Sequence, residues 1–126
     1  MSRIFMLTAA VAGAVAVTLG ALGAHTLQDL LAPDRFDVFL TGVRYLSIHA
    51  IMLFVTGWFA IERPHAMLTA AGTLFIVGMI LFSGSLVLLA VTPYRFLGAV
   101  APVGGMSYIA GWLALGAAAW ITTRPN

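Results

Sequence analysis

Ten formal charges are all that this 126-residue chain carries, six basic and four acidic. Their spacing constrains the fold more than any other feature. Uncharged runs cover residues 4–28, 45–61, 64–94 and 96–123, which are 25, 17, 31 and 28 residues long. A helix rises about 1.5 Å per residue, so about 20 apolar residues cross a hydrocarbon core of roughly 30 Å. Four crossings are therefore expected, near residues 4–24, 42–61, 67–91 and 99–121. The second run is the shortest, so its helix is expected to begin before Arg44, whose side chain can snorkel toward the headgroups. Helices are preferred to barrel strands because each run is long and continuously apolar, whereas a barrel strand is short and alternates.

Composition excludes the other classes. Hydrophobic residues make up 62% of the chain and charged residues 8%, with a mean hydropathy of +1.06. A soluble domain carries about 25% charge, so this chain could not coat a water-facing surface. Disorder requires the opposite bias, toward polar and charged residues. A net charge of +2 and a pI near 9.7 come from scattered arginines. They fit the flanks of membrane spans and imply no nucleic-acid partner. Without cysteine there is no disulfide framework and no thiolate metal site. Residues 1–126 read as a single transmembrane domain.

The helix breakers agree with these limits. Pro64 ends the second span, Pro93 ends the third, and Pro102 with Gly104 and Gly105 marks the start of the fourth. Five of the ten charges fall between residues 29 and 44. Within that segment Pro33 and Asp34 suit a helix start. Phe36, Phe39, Leu40 and Val43 follow at i, i+3, i+4 and i+7, opposite Asp34, Arg35 and Asp37. This predicts a short amphipathic helix over about 33–41, between the first two spans, lying on the membrane surface and running into the second. The expected fold is all-α: an integral membrane four-helix transmembrane bundle with that interfacial helix.

The first span has features of a secretory signal, with Arg3 ahead of it and Ala21-Leu22-Gly23 behind. Its apolar stretch is longer than the 7–15 residues of a signal, so retention as a mature helix is expected. Ala12, Ala16, Gly20 and Ala24 recur at every fourth position, with Gly13 beside them, a pattern that lets helices pack closely in lipid. Arg3, Arg63 and Arg124 share one side and Arg35 and Arg95 the other, with Arg44 at the boundary. On that count both termini are expected to be cytoplasmic.

Polar groups inside a span are expensive and mark function by default. His25 ends the first span; Thr41, Tyr45 and His49 repeat every four residues on one face of the second, with Arg44 beside them. His25, Arg44, Tyr45 and His49 therefore form a candidate polar ligand or packing site. Two histidines from neighbouring helices are the minimum for axial haem ligation, but His49 lies one to two turns deeper than His25. The plainer reading has each histidine bonding a carbonyl or Tyr45 and fixing helix packing. His65, after Pro64, reads as a solvated turn residue. No cysteine and no close ligand pair point to a metal, and no cofactor is expected. No Asp or Glu lies within a span, which disfavours a proton-coupled small-solute carrier. Ser83-Gly84-Ser85 lacks a carboxylate at its depth to orient a base, so close packing is preferred to catalysis. Gly20, Gly23, Ser83, Gly84, Ser85, Gly104, Gly105 and Gly111 are the expected helix-packing residues.

GALGAH (20–25), Tyr45 with His49, LFSGSL (81–86), PVGG (102–105) and Gly111-Trp112 occur in the order and spacing of one known family. The chain resembles the small inner-membrane proteins typified by YgdD and YwdK, a domain-of-unknown-function family similar to the eukaryotic transmembrane protein 256. The resemblance implies four transmembrane helices, an uncleaved first span and a plasma (bacterial inner) membrane location, and no activity. Leu46, Val87 and Ala101 stand where the family often has Gln, Tyr and Thr, so any ligand site would be less polar here.

The expectation is a non-enzymatic multi-pass membrane protein that packs against itself or a larger membrane complex. The alternatives are a binding protein for a haem- or quinone-type ligand using His25 and His49, and the proton-coupled carrier.

Overall fold

The computed structural model describes residues 1–123. Arg124, one of the three arginines assigned to the cytoplasmic side, lies outside them. Four helices are long and apolar enough to span a bilayer: α1 (Ser2–Leu30), α2 (Pro33–Glu62), α3 (Ala66–Val91) and α4 (Leu97–Thr122). At about 1.5 Å per residue each is roughly 40 Å long, so its ends reach beyond the hydrocarbon core. α3 matches the limits read from the sequence to within one residue and α4 to within two, whereas α1 ends six residues later and α2 begins nine residues earlier.

Sequence chemistry explains the ends. Leu31 and Ala32 are extended, Pro33 occupies the first turn of α2, and Asp34 follows at its positive dipole end. Pro64 stops α2 after Glu62. His65 is not merely solvated: its Nδ1 accepts the Met67 backbone N–H at 3.1 Å and caps α3. Thr92 is extended, as a residue before proline prefers, and ends α3.

Two sequence expectations differ from the structure. Residues 33–41 run into the second span as expected, but as the first turns of the unbroken 30-residue α2, with no surface-lying segment set apart from it. Their apolar stripe is covered by protein: Phe39 and Val43 are buried with Ala90, and Leu19, Leu27, Leu31 and Val87 pack around them. Pro102 does not mark the start of α4 but lies inside it. The helix begins earlier through tight turns, with the N–H groups of Leu97, Gly98 and Ala99 donating to Tyr94, Arg95 and Phe96. Inside the helix Pro102 leaves the Gly98 carbonyl without its i→i−4 donor, a loss that membrane helices tolerate because local adjustment and neighbouring groups compensate for the freed carbonyl.

Lipid provides no hydrophobic drive between helices, so close approach of backbones holds such a bundle. On α1 and α2, Gly23 receives the Phe39 ring, Gly20 faces Val43, and Gly57 faces Ser2, Met6 and Phe5. The paired numbers fall as their partners rise, so the two helices are antiparallel. On α3 and α4, Gly78 meets the Tyr108 ring, Gly111 meets Phe75, and Gly104 lies on the backbone of Leu81 and Phe82. Gly42 seats α2 on the Ser83 carbonyl of α3. α1 touches α3 where the Phe5 ring lies over Gly72, and the two then separate. The core holds Phe5, Leu46, Leu53, Phe75, Met79 and Tyr108.

Candidate functional site

Midway along α3 the helix widens into a π turn over Met79–Gly84. Such a turn leaves backbone carbonyls short of partners, and side chains or neighbouring helices must compensate. Ser85 does so, with its Oγ donating to the carbonyls of Leu81 and Phe82. Ser83 Oγ and Tyr108 Oη share a hydrogen bond of 2.9 Å, both side chains buried. Gly104 brings α4 against the widened backbone, which a side chain at that position would prevent. The LFSGSL and PVGG motifs are thus two halves of one contact.

One turn away lies His49, which is 3% exposed. Its Nδ1 is 2.7 Å from the Tyr45 carbonyl oxygen, and its Nε2 is 3.1 Å from Trp112 Nε1. A carbonyl only accepts and an indole N–H only donates, so the partners assign the tautomer: Nδ1–H donates and Nε2 accepts. The imidazole is neutral in this arrangement with both nitrogens occupied. Its ring lies over Tyr108 with centroids 3.5 Å apart and planes 14° apart. Phe75 and Trp112 close around it at 5.5 and 6.1 Å. Tyr45 lies 4.8 Å from Phe82, completing an aromatic wall from α2, α3 and α4. A cavity of about 240 Å³ opens beside this wall, lined by Tyr45, His49, Phe82, Gly105, Tyr108, Ile109 and Trp112.

Of the four residues expected to form a polar site, the structure brings two together, Tyr45 and His49. His25 lies exposed in the π turn Gly23–Leu27 of α1. Since Gly23 faces Phe39, His25 is level with about residue 37 of α2. That places it roughly 18 Å along the axis from His49, too far for both to ligate one haem iron. Arg44 is exposed, about 100° round the helix from Tyr45. Among the packing residues, Gly23, Gly104 and Gly111 admit a neighbour that a Cβ would strike, whereas Gly20 and Gly105 make ordinary contacts. Gly84 meets only its own helix and borders the gap between α1 and α3.

Sequence reasoning missed Phe75 and Trp112 as partners of His49, Phe82 as a partner of Tyr45, and Gly42 and Gly57 as packing positions. A signal was present: Tyr45/His49 and Tyr108/Trp112 are i, i+4 aromatic pairs on separate helices. Among the described residues, no buried side-chain nitrogen or oxygen lacks a hydrogen-bond partner. The cluster can therefore hold three helices in one register, while ligation of a metal or haem iron by His49 Nε2 would require Trp112 to withdraw.

Comparison with known proteins places these motifs in context. The profile of a family described as protein of unknown function DUF423 matches residues 19–105. The chain is 39% identical over 118 residues to the UPF0382 membrane protein YwdK of Bacillus subtilis, covering 93% of this chain and 96% of the relative. It is 36% identical over 113 residues to the UPF0382 membrane protein SH2409 of Staphylococcus haemolyticus, covering 90% and 92%. The UPF0382 inner membrane protein YgdD of Escherichia coli K12 is 35% identical over 112 residues, covering 88% and 85%. No solved structure matches the chain.

Proposed function

We propose that this chain, which belongs to the DUF423 family of membrane proteins of unknown function, is a non-enzymatic component that packs with a second copy or within a larger membrane complex. The observation that carries this reading is how its intramembrane polar groups are used. His49, Thr56, Ser83, Ser85 and Tyr108 all bond internally, and none is left aimed at an empty site. A catalyst needs a nucleophile, acid or base directed at substrate, and a proton-coupled carrier needs an ionisable group free to titrate inside the membrane. This cluster resembles a register lock more than either.

The outward surfaces favour assembly. α1 is the least covered helix, and a Cβ at Gly13 or Gly116 would meet nothing within 4 Å. Native mass spectrometry after release in mild detergent tests the reading. A multiple of the 13.3 kDa chain mass, or a retained partner protein, is expected, and Gly13→Ile is expected to reduce the assembly. A bare monomer under every mild condition would overturn it.

Both termini lie on the cytoplasmic side in this proposal, as the arginine distribution suggests. With no native cysteine, single-cysteine labelling reads this directly. Tyr94→Cys should react with an impermeant maleimide in intact spheroplasts, and Ser2→Cys only after permeabilisation. The reverse pattern would invert the topology.

A further inference from the structure

We infer that the groove between α2 and α4, floored by α3, holds one anionic phospholipid, its phosphate at Arg35 and Arg95 and an acyl chain descending to Tyr45 and Trp112. This goes beyond the assembly reading and holds whether or not the chain has a protein partner.

Two cavities lie in line along this groove. The upper, about 260 Å³, is lined by Asp34, Arg35, Val38, Leu89, Ala90 and Arg95. The lower, about 240 Å³, is the aromatic cleft beside His49. Two helices step from one cavity to the other by seven residues, and α4 runs beside them with the same spacing. Val38 leads to Tyr45 on α2 and Leu89 to Phe82 on α3, while on α4 Gly98, which lies against Leu89, precedes Gly105 by seven residues. Seven residues are nearly two turns, so each pair shares a face and is about 10 Å apart along the axis. The two α4 glycines keep that wall low: a Cβ at Gly98 would touch Leu89 at 3.6 Å and one at Gly105 would touch Phe82 at 3.5 Å. The result is an apolar track that starts at a charged mouth.

The mouth suits an anion at headgroup depth. Tyr94 and Phe96, both exposed and 6.1 Å apart, flank Arg95 and mark the membrane interface, where aromatic residues concentrate. Arg35 is held there by donating to the carbonyls of Ala90 (3.4 Å) and Thr92 (3.3 Å) at the end of α3. A guanidinium has five N–H groups, so donors remain for a phosphate. The Arg95 side chain is exposed and makes no hydrogen bond or ion pair among the described residues. Asp34 is the single acid on the rim, leaving one net positive charge from two arginines. A zwitterionic headgroup gains little from such a mouth, whereas an anionic one is attracted and its chain finds the track below.

The test uses delipidated full-length protein in mild detergent, titrated with dioleoyl phosphatidylglycerol or dioleoyl phosphatidylcholine and read by native mass spectrometry. One phosphatidylglycerol per chain is expected, with about fivefold preference over phosphatidylcholine, the factor a single basic residue supplies near a membrane surface. Arg95→Gln should abolish the preference while leaving chain binding, and Gly105→Leu should reduce retention of both lipids. If Gly105→Leu fails to elute as folded protein, Gly98→Leu blocks the same track nearer its mouth. Equal retention of the two lipids, wild-type preference in Arg95→Gln, or full retention in the folded glycine variant would overturn the inference. So would displacement of phosphatidylglycerol by millimolar inorganic phosphate alone, which would reveal a free-anion site.

Discussion

Substituting Gly104 by alanine and comparing it with the same change at Gly105 tests the packing argument at two adjacent positions. A Cβ at Gly104 would lie 2.6 Å from the Leu81 carbonyl carbon and 2.8 Å from Phe82 Cα, and closer still to the Phe82 backbone nitrogen. All three are backbone atoms of the π turn, so no rotamer change relieves the contact. Ordinary van der Waals separation then requires α4 to move out by roughly 1 Å, which forfeits a quarter to a half of each dispersion contact along that face. Overpacking of this kind costs about 1–3 kcal/mol, against a gain of about 0.5–1 kcal/mol from replacing a helical glycine. The expected net loss for Gly104→Ala is about 1 kcal/mol. At Gly105 the new methyl would meet the Phe82 ring at 3.5 Å, an ordinary contact, so the helix-propensity gain stands alone and Gly105→Ala should be neutral to slightly stabilising. The assay is reversible unfolding in mixed micelles as the sodium dodecyl sulfate fraction rises, followed by circular dichroism. Gly116→Ala, with nothing within 4 Å, is the control for propensity alone. Equal stability of the Gly104 and Gly105 variants would refute the claim that α4 rests on the backbone of α3.

Three further outcomes are expected. Trp112→Phe removes the donor to His49 Nε2 and leaves a buried acceptor unpaired, a loss of about 1–2 kcal/mol; an unchanged imidazole nitrogen NMR shift would contradict the assigned tautomer. A double-mutant cycle on Ser83→Ala and Tyr108→Phe should give a coupling of about 0.6 kcal/mol, typical of interhelical bonds in lipid, and a coupling of zero would mean the hydroxyls do not pair. Phe39→Ala should cost about 3 kcal/mol of unfolding free energy because its ring fills the space at Gly23. A side chain merely resting on lipid would instead leave that free energy unchanged.

Legibility in the sequence stopped at a definite point. The four spans followed from where charges are absent, because lipid requires every backbone group to be bonded within its own helix. The amphipathic stripe of residues 36–43 was also readable, but its cover was not. Periodicity shows that a face is apolar and cannot say whether α1, α3 or lipid lies against it. Pro102 reads as a boundary from its ring chemistry alone, yet the tight turns at Leu97, Gly98 and Ala99 start α4 before it and leave it inside the helix. His25 and His49 were legible as polar residues one to two turns apart in depth, and the antiparallel register of α1 on α2 widens that to roughly 18 Å.

Hydropathy is a one-dimensional quantity, so by itself the sequence determined the bilayer as solvent, the helical class and the number of crossings. Azimuth and register are relations between helices, and those the tertiary structure decided. Backbone approach at Gly42, Gly78, Gly104 and Gly111 sets the rotation and height of α2 and α4 on α3. Only that setting puts the Trp112 N–H on His49 and the Tyr108 hydroxyl on Ser83. A shift of one residue on any of the three helices would turn these side chains by about 100° and leave the same buried polar groups without partners.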